Sequence, residues 1–217
     1  MANNPDEAIL RIAVSFGALN QIVATLLSAH RQEEPRTAIK LVEARLSEQM
    51  NGLRKGSYNL GLSLAEANAR AISSLPLHQD EMAIALPVRS PLLTYERIPL
   101  CELANYPLIM WSEEACAPMS AQIKAMMESE GVSITASAEA RTLAIMVSLV
   151  AAGYGIAIVA RSKIEAARDQ GIVMRPIAGV PRYFTTYLHY QEKTSGPAVQ
   201  RFIKRASRVA GTLAVAD

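Results

Sequence analysis

The sequence predicts an α/β fold made of two Rossmann-like subdomains, and three observations carry that expectation. Apolar β-rich runs alternate with segments of helical periodicity over the first 64 residues, and a similar alternation resumes after residue 106. Half of the 217 residues are hydrophobic and 19% are charged, a globular composition with ample length for a core.

The elements follow in order. "AILRIAVSF" (8–16) predicts a first strand. Leu19, Ile22, Val23, Leu26, Leu27 and His30 then fall on one face of a helix. "TAIKLVEA" (37–44) predicts a second strand, and "LSEQMNGLRKG" (46–56) a short helix with Ser47 at its N-cap and Gly56 past its end. "YNLGLSL" (58–64) predicts a third strand. Strands separated by helices in this way favour a parallel sheet.

"EMAIALPV" (81–88) predicts another strand, stopped by Pro87 and Pro91. A short helix is expected near Cys101–Asn105 and a strand over 106–111. A helix should run from Met119 to Glu130, ending at Gly131. Strands at 133–137, 155–160 and 172–177 should alternate with helices at 141–152 and 161–171. "PRYFTTYLHYQ" (181–191) predicts a longer strand with alternating aromatics. The last helix places Val199, Phe202, Ile203, Ala206, Val209, Ala210 and Leu213 on one face, opposite Arg201, Lys204, Arg205 and Arg208.

Composition also narrows the function. A net charge of +2 does not by itself argue for nucleic acid or a membrane surface. The polar start "MANNPDEA" has no export-signal pattern, so a cytoplasmic protein with reduced Cys101 and Cys116 is expected. The uncharged run Thr142–Ala160 is long enough to span a membrane. Its glycine pair, however, divides it into a helical half and a β-branched half, which favours a buried helix-to-strand joint.

Motifs for chemistry are sparse. "GYG" at 153–155 follows a helix and precedes a strand, the reverse of a phosphate-binding fingerprint. Gly153 reads as a left-handed helix cap, and Gly155 as a close approach into the strand. No nucleophile elbow occurs, and His30, His78 and His189 are far apart. Glu113 and Glu114 lack a neighbouring His or Asp at ligand spacing, and Cys116 has only Cys101 as a redox partner. No catalytic residue, metal ligand or cofactor is expected. What remains are three junctions at helix N-termini, Ser15-Phe16-Gly17-Ala18, Arg45-Leu46-Ser47 and Ala117-Pro118-Met119-Ser120. In open α/β sheets such junctions sit at the carboxyl ends of strands, where ligands bind.

Several segments resemble the effector-binding part of LysR-type transcriptional regulators. "LRIAVSFGAL" is similar to that family's first strand and turn, and "LVEARLSEQMNGLRKGSYNLGLSL" to its next strand–helix–strand stretch. "MAIALPVRSPL" resembles its crossover strand, and "LVAAGYGIAIVA" its recurring L-V-A-A-G-x-G-I pattern. The resemblance covers about residues 9–214. It implies a periplasmic-binding-protein-like fold with two subdomains, 9–80 plus 186–217 and 81–185, joined by two crossover strands. It implies a small organic effector in the cleft between them. It further implies a homodimer or tetramer formed through these regulatory domains, with helices 19–30 and 141–152 as candidate contacts. DNA would be reached only through an N-terminal winged helix-turn-helix, for which nothing stands ahead of Ile9; no membrane is involved.

Carried over by position, the effector contacts are Ser15, Phe16, Gly17, Ala18, Arg45, Leu46, Ser47 and Leu64 in the first subdomain. In the second they are Trp111, Ser112, Pro118 and Met119. Some family members that bind aromatic carboxylates carry an arginine at the position of Leu64 and a hydroxyl residue at that of Leu46. Leucine at both makes this cleft more apolar, and leaves Arg45 to supply positive charge to a carboxylate. The rival reading is a solute-binding protein for transport, and an enzyme using Glu113, Glu114 or Cys116 is a third.

Overall fold

The computed structural model of the chain describes residues 9–193 and 196–213. The polar leader, residues 1–8, lies outside the described residues. Along the chain run β1 (Ile9–Val14), α1 (Gln21–Glu33), β2 (Ala38–Glu43), α2 (Leu46–Arg54), β3 (Leu60–Ser63), β4 (Ile72–Pro87), β5 (Leu108–Trp111) and α3 (Glu113–Ser129). There follow β6 (Ala136–Ala140), α4 (Leu143–Ala151), β7 (Ala157–Ala160), α5 (Arg161–Ala166), β8 (Ile172–Pro176), β9 (Tyr183–Gln191) and α6 (Pro197–Leu213). The chain folds as two units, one up to His78 and again from Thr185, the other Gln79–Phe184. It passes from one to the other within β4 and returns within β9.

In the first unit β1 lies between β2 and β3, parallel to both, and β9 pairs antiparallel with β3. Leu10, Ile12 and Val14 alternate onto one face of β1 and bury against Ile22, Val23 and Leu26 of α1 and Val199, Phe202 and Ala206 of α6. On the opposite face Gln49 of α2 approaches Gly61 of β3, while Met50 and Leu53 of α2 cluster with Ile72 at the start of β4.

Polar residues tie α1 to α6. Arg205, 4% exposed, donates to Glu33 and Glu34 at 2.9 and 2.7 Å and to His30 Nδ1 at 3.1 Å. His30 Nε2 faces the Thr37 carbonyl at 2.9 Å, so its proton sits on Nε2. Arg201 and Arg205 together hold the Glu34 carboxyl down at about 2.

In the second unit, the later half of β4 pairs antiparallel with β7 on one side and β8 on the other. β5 pairs parallel with β6, and hydrogen bonds with Ile156 place it beside the start of β7. The uncharged run Thr142–Ala160 becomes α4, a turn and β7, and no described helix is long and apolar enough to cross a membrane. Gly153 takes φ +81° after α4, as the helix stop requires. At Gly155 a Cβ would stand 2.4 Å from the Pro107 carbonyl oxygen.

Several elements differ in extent from the sequence reading: the helix expected over 161–171 stops at Ala166, and four others show the physical reason. β4 begins at Ile72, well before residue 81. Its first half, "ISSLPLHQD", mixes polar and apolar residues and contains Pro76, so it lacks a strand's alternation. β6 occupies 136–140 and not 133–137, because pairing with β5 sets the position of this Ala-rich, largely exposed strand. α3 starts at Glu113, with a kink where Cys116 leaves helical geometry ahead of Pro118. α2 is capped by Arg45 in place of Ser47, with Glu48 accepting from the Arg45 backbone N–H at 2.9 Å.

Two outcomes follow. Gly155→Ala should cost roughly 2 kcal/mol in chemical denaturation, because the clash is with backbone and cannot be relieved by a rotamer change. Arg205→Ala should cost about 2 kcal/mol, since it leaves the buried His30 Nδ1 without its donor and takes from Glu34 one of its two guanidinium partners. Glu34's folded value lies below its ordinary 4.5. Its contribution is therefore complete above pH 4.5 and is lost as pH falls towards 2, so a pH series of melts should show a shallower acid limb for this variant.

Candidate functional site

In the first unit the candidate residues gather at the carboxyl ends of β2, β1 and β3. Ser15 ends β1, and its backbone N–H donates to the Leu62 carbonyl of β3 at 2.9 Å. The Ala44 N–H donates to the Val14 carbonyl at 3.0 Å, which brings the end of β2 alongside. Phe16 and Gly17 form a tight turn, Gly17 at φ +82°, and the Ala18 N–H returns to the Ser15 carbonyl at 3.2 Å. That turn stands ahead of helix α1. The helix cap is Asn20, which accepts from the Val23 N–H at 3.2 Å and donates to Thr186 Oγ at 2.8 Å. The expectation that residues 15–18 form the helix N-terminus is corrected accordingly. Arg45 and Ser47 are exposed, Leu46 is half-buried, and Leu64 is buried at the end of β3.

A polar row supports this edge from beneath α2. Gln49, fully buried, points its Nε2 at two carbonyls, Ala44 at 3.1 Å and Leu62 at 3.0 Å. The Leu62 oxygen thus takes the Ser15 N–H, the Ser15 hydroxyl at 3.3 Å and the Gln49 amide. Gly61 makes the approach possible, since a Cβ there would lie 2.7 Å from Gln49 Oε1. Across the sheet Ala13 pairs with Gly61, and Gly61 with His189. The fully buried His189 ring lies between two hydroxyls, Nε2 2.8 Å from Ser63 Oγ and Nδ1 2.9 Å from Ser74 Oγ. Burial pushes its pKa down to about 4, against the opposing pull of the Ala65 backbone.

In the second unit Trp111 and Ser112 end β5 and lead into α3. Trp111 is 2% exposed and donates its indole N–H to the Ile158 carbonyl at 3.2 Å. Ser112 and Met119 are buried and Pro118 half-buried. Glu113 and Glu114 lie in the first turn of α3 and pair with Lys124 and Arg141. Lys124 holds the Glu113 carboxyl below its ordinary range. Cys116 is buried, and burial pushes its thiol up to about 12 despite the Arg141 charge. Cys101 is exposed, and both cysteines are free thiols. Among the described residues no three His, Cys, Asp or Glu side chains converge to hold a metal.

Sequence reasoning located the strand ends but missed the residues beneath them. Gln49 sits among the polar positions of a short helix, and nothing in "LSEQMNGLR" marks it as more buried than Glu48. Gly61 was the available signal, a glycine inside an apolar strand that announces a close neighbour. His189 read as one of several alternating ring residues on a strand.

Comparison with known proteins identifies the class. Residues 3–211 match the family model described as the LysR substrate binding domain. The chain belongs to that family. A probable cat1 operon transcriptional activator of Acinetobacter lwoffii is 25% identical over 163 residues, covering 75% of this chain and 54% of the relative. The effector-binding domain of QuiR in complex with shikimate superposes with a TM-score of 0.84 at 18% identity, covering 95% of this chain and 98% of that one. The BenM effector-binding domain with its effector benzoate gives 0.83 at 18%, covering 96% and 94%. These two likenesses establish the fold. The chain spans about half the length of the curated relatives it matches.

Gly61→Ala should lower stability by about 1–3 kcal/mol through its contact with Gln49. In a Gln49→Ala background the same change should cost at least about 1 kcal/mol less, a coupling that a double-mutant cycle in urea measures directly.

Proposed function

We propose that this chain is the effector-sensing part of a cytoplasmic LysR-type transcriptional regulator. One observation above all supports the reading. In a chain of this family, Ser15–Ala18, Arg45–Ser47 and Leu64 converge at the carboxyl ends of three adjoining strands of an α/β sheet. Trp111, Ser112, Pro118 and Met119 complete the proposed site from the second subdomain. The two subdomains are taken as 9–80 plus 186–217 and 81–185, with the effector between them. Its binding shifts the equilibrium between arrangements of the regulator, and DNA contact belongs to a separate DNA-binding head.

The proposed effector is a small organic acid with a substantial apolar part. Leu46 and Leu64 offer apolar surface, and Arg45 is the cation for a carboxylate. Shikimate and benzoate, carried by the two superposed effector domains, are the first ligands to try. The reading contains no enzymatic step: Glu113 is kept ionised by Lys124, which suits a general acid poorly, and the Cys116 thiol is kept protonated, which suits a nucleophile poorly.

A homodimer or tetramer is part of the proposal. α4 exposes Ala144, Ile145 and Ser148 inside a charge-free run, and Ile145 is 45% exposed. α1 presents Gln21, Ala24, Thr25, Ser28, Ala29 and Gln32 around a shallow groove of about 460 Å³. Uncharged faces of this kind suit a contact between copies.

A panel of aromatic and alicyclic carboxylates, screened by thermal shift and then calorimetry, tests the reading. A hit should raise the melting temperature without being consumed. Arg45→Ala should weaken a carboxylate hit about tenfold or more, the worth of one charge-assisted hydrogen bond. Unchanged affinity in Arg45→Ala, Ser15→Ala and Met119→Ala alike would sink the assignment.

A further inference from the structure

The turn after β3 is held by a hydrogen-bond chain in which every proton can be placed. The Ser63 hydroxyl donates to the Ala65 carbonyl at 2.7 Å, and its oxygen accepts the Ala65 N–H at 3.2 Å. With its proton committed, Ser63 Oγ can only accept from His189, so Nε2 carries the imidazole proton. Nδ1 is then a bare acceptor for the Ser74 hydroxyl, whose oxygen takes the Ala67 N–H at 2.9 Å. The backbone of residues 65 and 67 therefore hangs from two hydroxyls, and one neutral ring joins those hydroxyls. Ser63 belongs to β3, Ser74 to β4 and His189 to β9.

The surroundings keep the ring neutral. Gln49 of α2 and Gly61 of β3 are uncharged, and Tyr187 of β9 stacks beside it with centroids 6.4 Å apart. Charged side chains on the adjoining segments, Glu66 and Arg70 after β3, Arg54 and Lys55 at the end of α2, and Glu192 after β9, are all exposed. Protonation of Nδ1 would place a second donor where the Ser74 hydroxyl now donates.

We propose that His189 is a positioning residue: as a neutral imidazole it fixes the turn that carries Leu64 into the effector site, and protonation releases that turn. The inference rests on the effector-site reading above for its functional half. The clamp itself stands on the hydrogen bonds. Burial holds the folded His189 pKa at about 4, below its ordinary 6.5, so the clamp is intact above pH 6.5 and weakens progressively as pH falls towards 4.

The test uses the whole chain, wild type and two variants. His189→Gln keeps a donor and an acceptor but cannot titrate, whereas His189→Leu removes both. Amide hydrogen exchange is followed at Ala65 and Ala67, with Ile12 of β1 as the reference and intrinsic rates corrected. From pH 7 to pH 5, protection at Ala65 and Ala67 should fall about twentyfold in the wild type, the ratio set by the two pKa values, and at each pH these amides should be less protected than Ile12, as opening of the turn alone requires. His189→Gln should show no such fall. Equal protection at Ile12 and at the turn, no fall at the turn, or the same fall in His189→Gln would each overturn the clamp. Benzoate at pH 7 then probes the functional half through the amide shifts of residues 15–18, 45–47 and 64. His189→Leu should weaken benzoate at least tenfold, with His189→Gln restoring affinity to within about threefold; equal affinity in His189→Leu refutes the positioning role. If benzoate shifts none of these amides even in the wild type, the effector-site reading with benzoate as probe fails, and the exchange data still decide the clamp.

Discussion

The first unit depends on one carbonyl oxygen. Leu62 O receives the backbone N–H of Ser15, the Ser15 hydroxyl and the Gln49 side-chain amide. Where parallel strands stop, their last carbonyls lose ladder partners, and a buried orphan there costs about 1–3 kcal/mol. Gln49 answers this at two strand ends together, Ala44 and Leu62. The turn at Gly17 and the start of α2 are anchored by the same contacts. The positions of Ser15, Arg45 and Leu64 all trace back to them.

The two faces of that sheet have different tasks. The face towards α1 and α6 is dry, and its burial of Ile12, Leu26 and Phe202 supplies stability. The face towards α2 carries Ala13, Gly61, Ser63 and His189, small or hydrogen-bonded, so that side chains can reach the strand ends. The hydrogen bonds that fix the Gln49 amide nitrogen and the His189 ring give one geometry where an apolar filling would tolerate several. The second unit obtains its close approach from Gly155 against the Pro107 carbonyl. At the start of α3, Glu113 pairs with Lys124 and Glu114 with Arg141.

Much of the architecture was legible because period and punctuation agree with tertiary structure. The face Ile22, Val23, Leu26, His30 is the buried face of α1, and Gly56, Gly131, Gly153 and Gly171 all take the positive φ that ends helices and turns. The failures share a cause. β6 and the first half of β4 have weak intrinsic patterns, and their extent follows from the strands they pair with. Ser47 looked like a cap by residue type, yet the strand end fixes Arg45 in the extended conformation that makes it the cap.

By itself the sequence determined the α/β class, the order of nearly every element and the membership of the family. Those follow from periodicity, glycine placement and local motifs, which act within a few residues along the chain. Only the tertiary structure decided that Gln49 is buried, that His189 lies between Ser63 and Ser74, and that Arg205 closes on Glu34 and His30. These contacts join residues up to 175 positions apart. Their chemistry exists only once the sheet has brought the partners within hydrogen-bond reach and excluded water from between them.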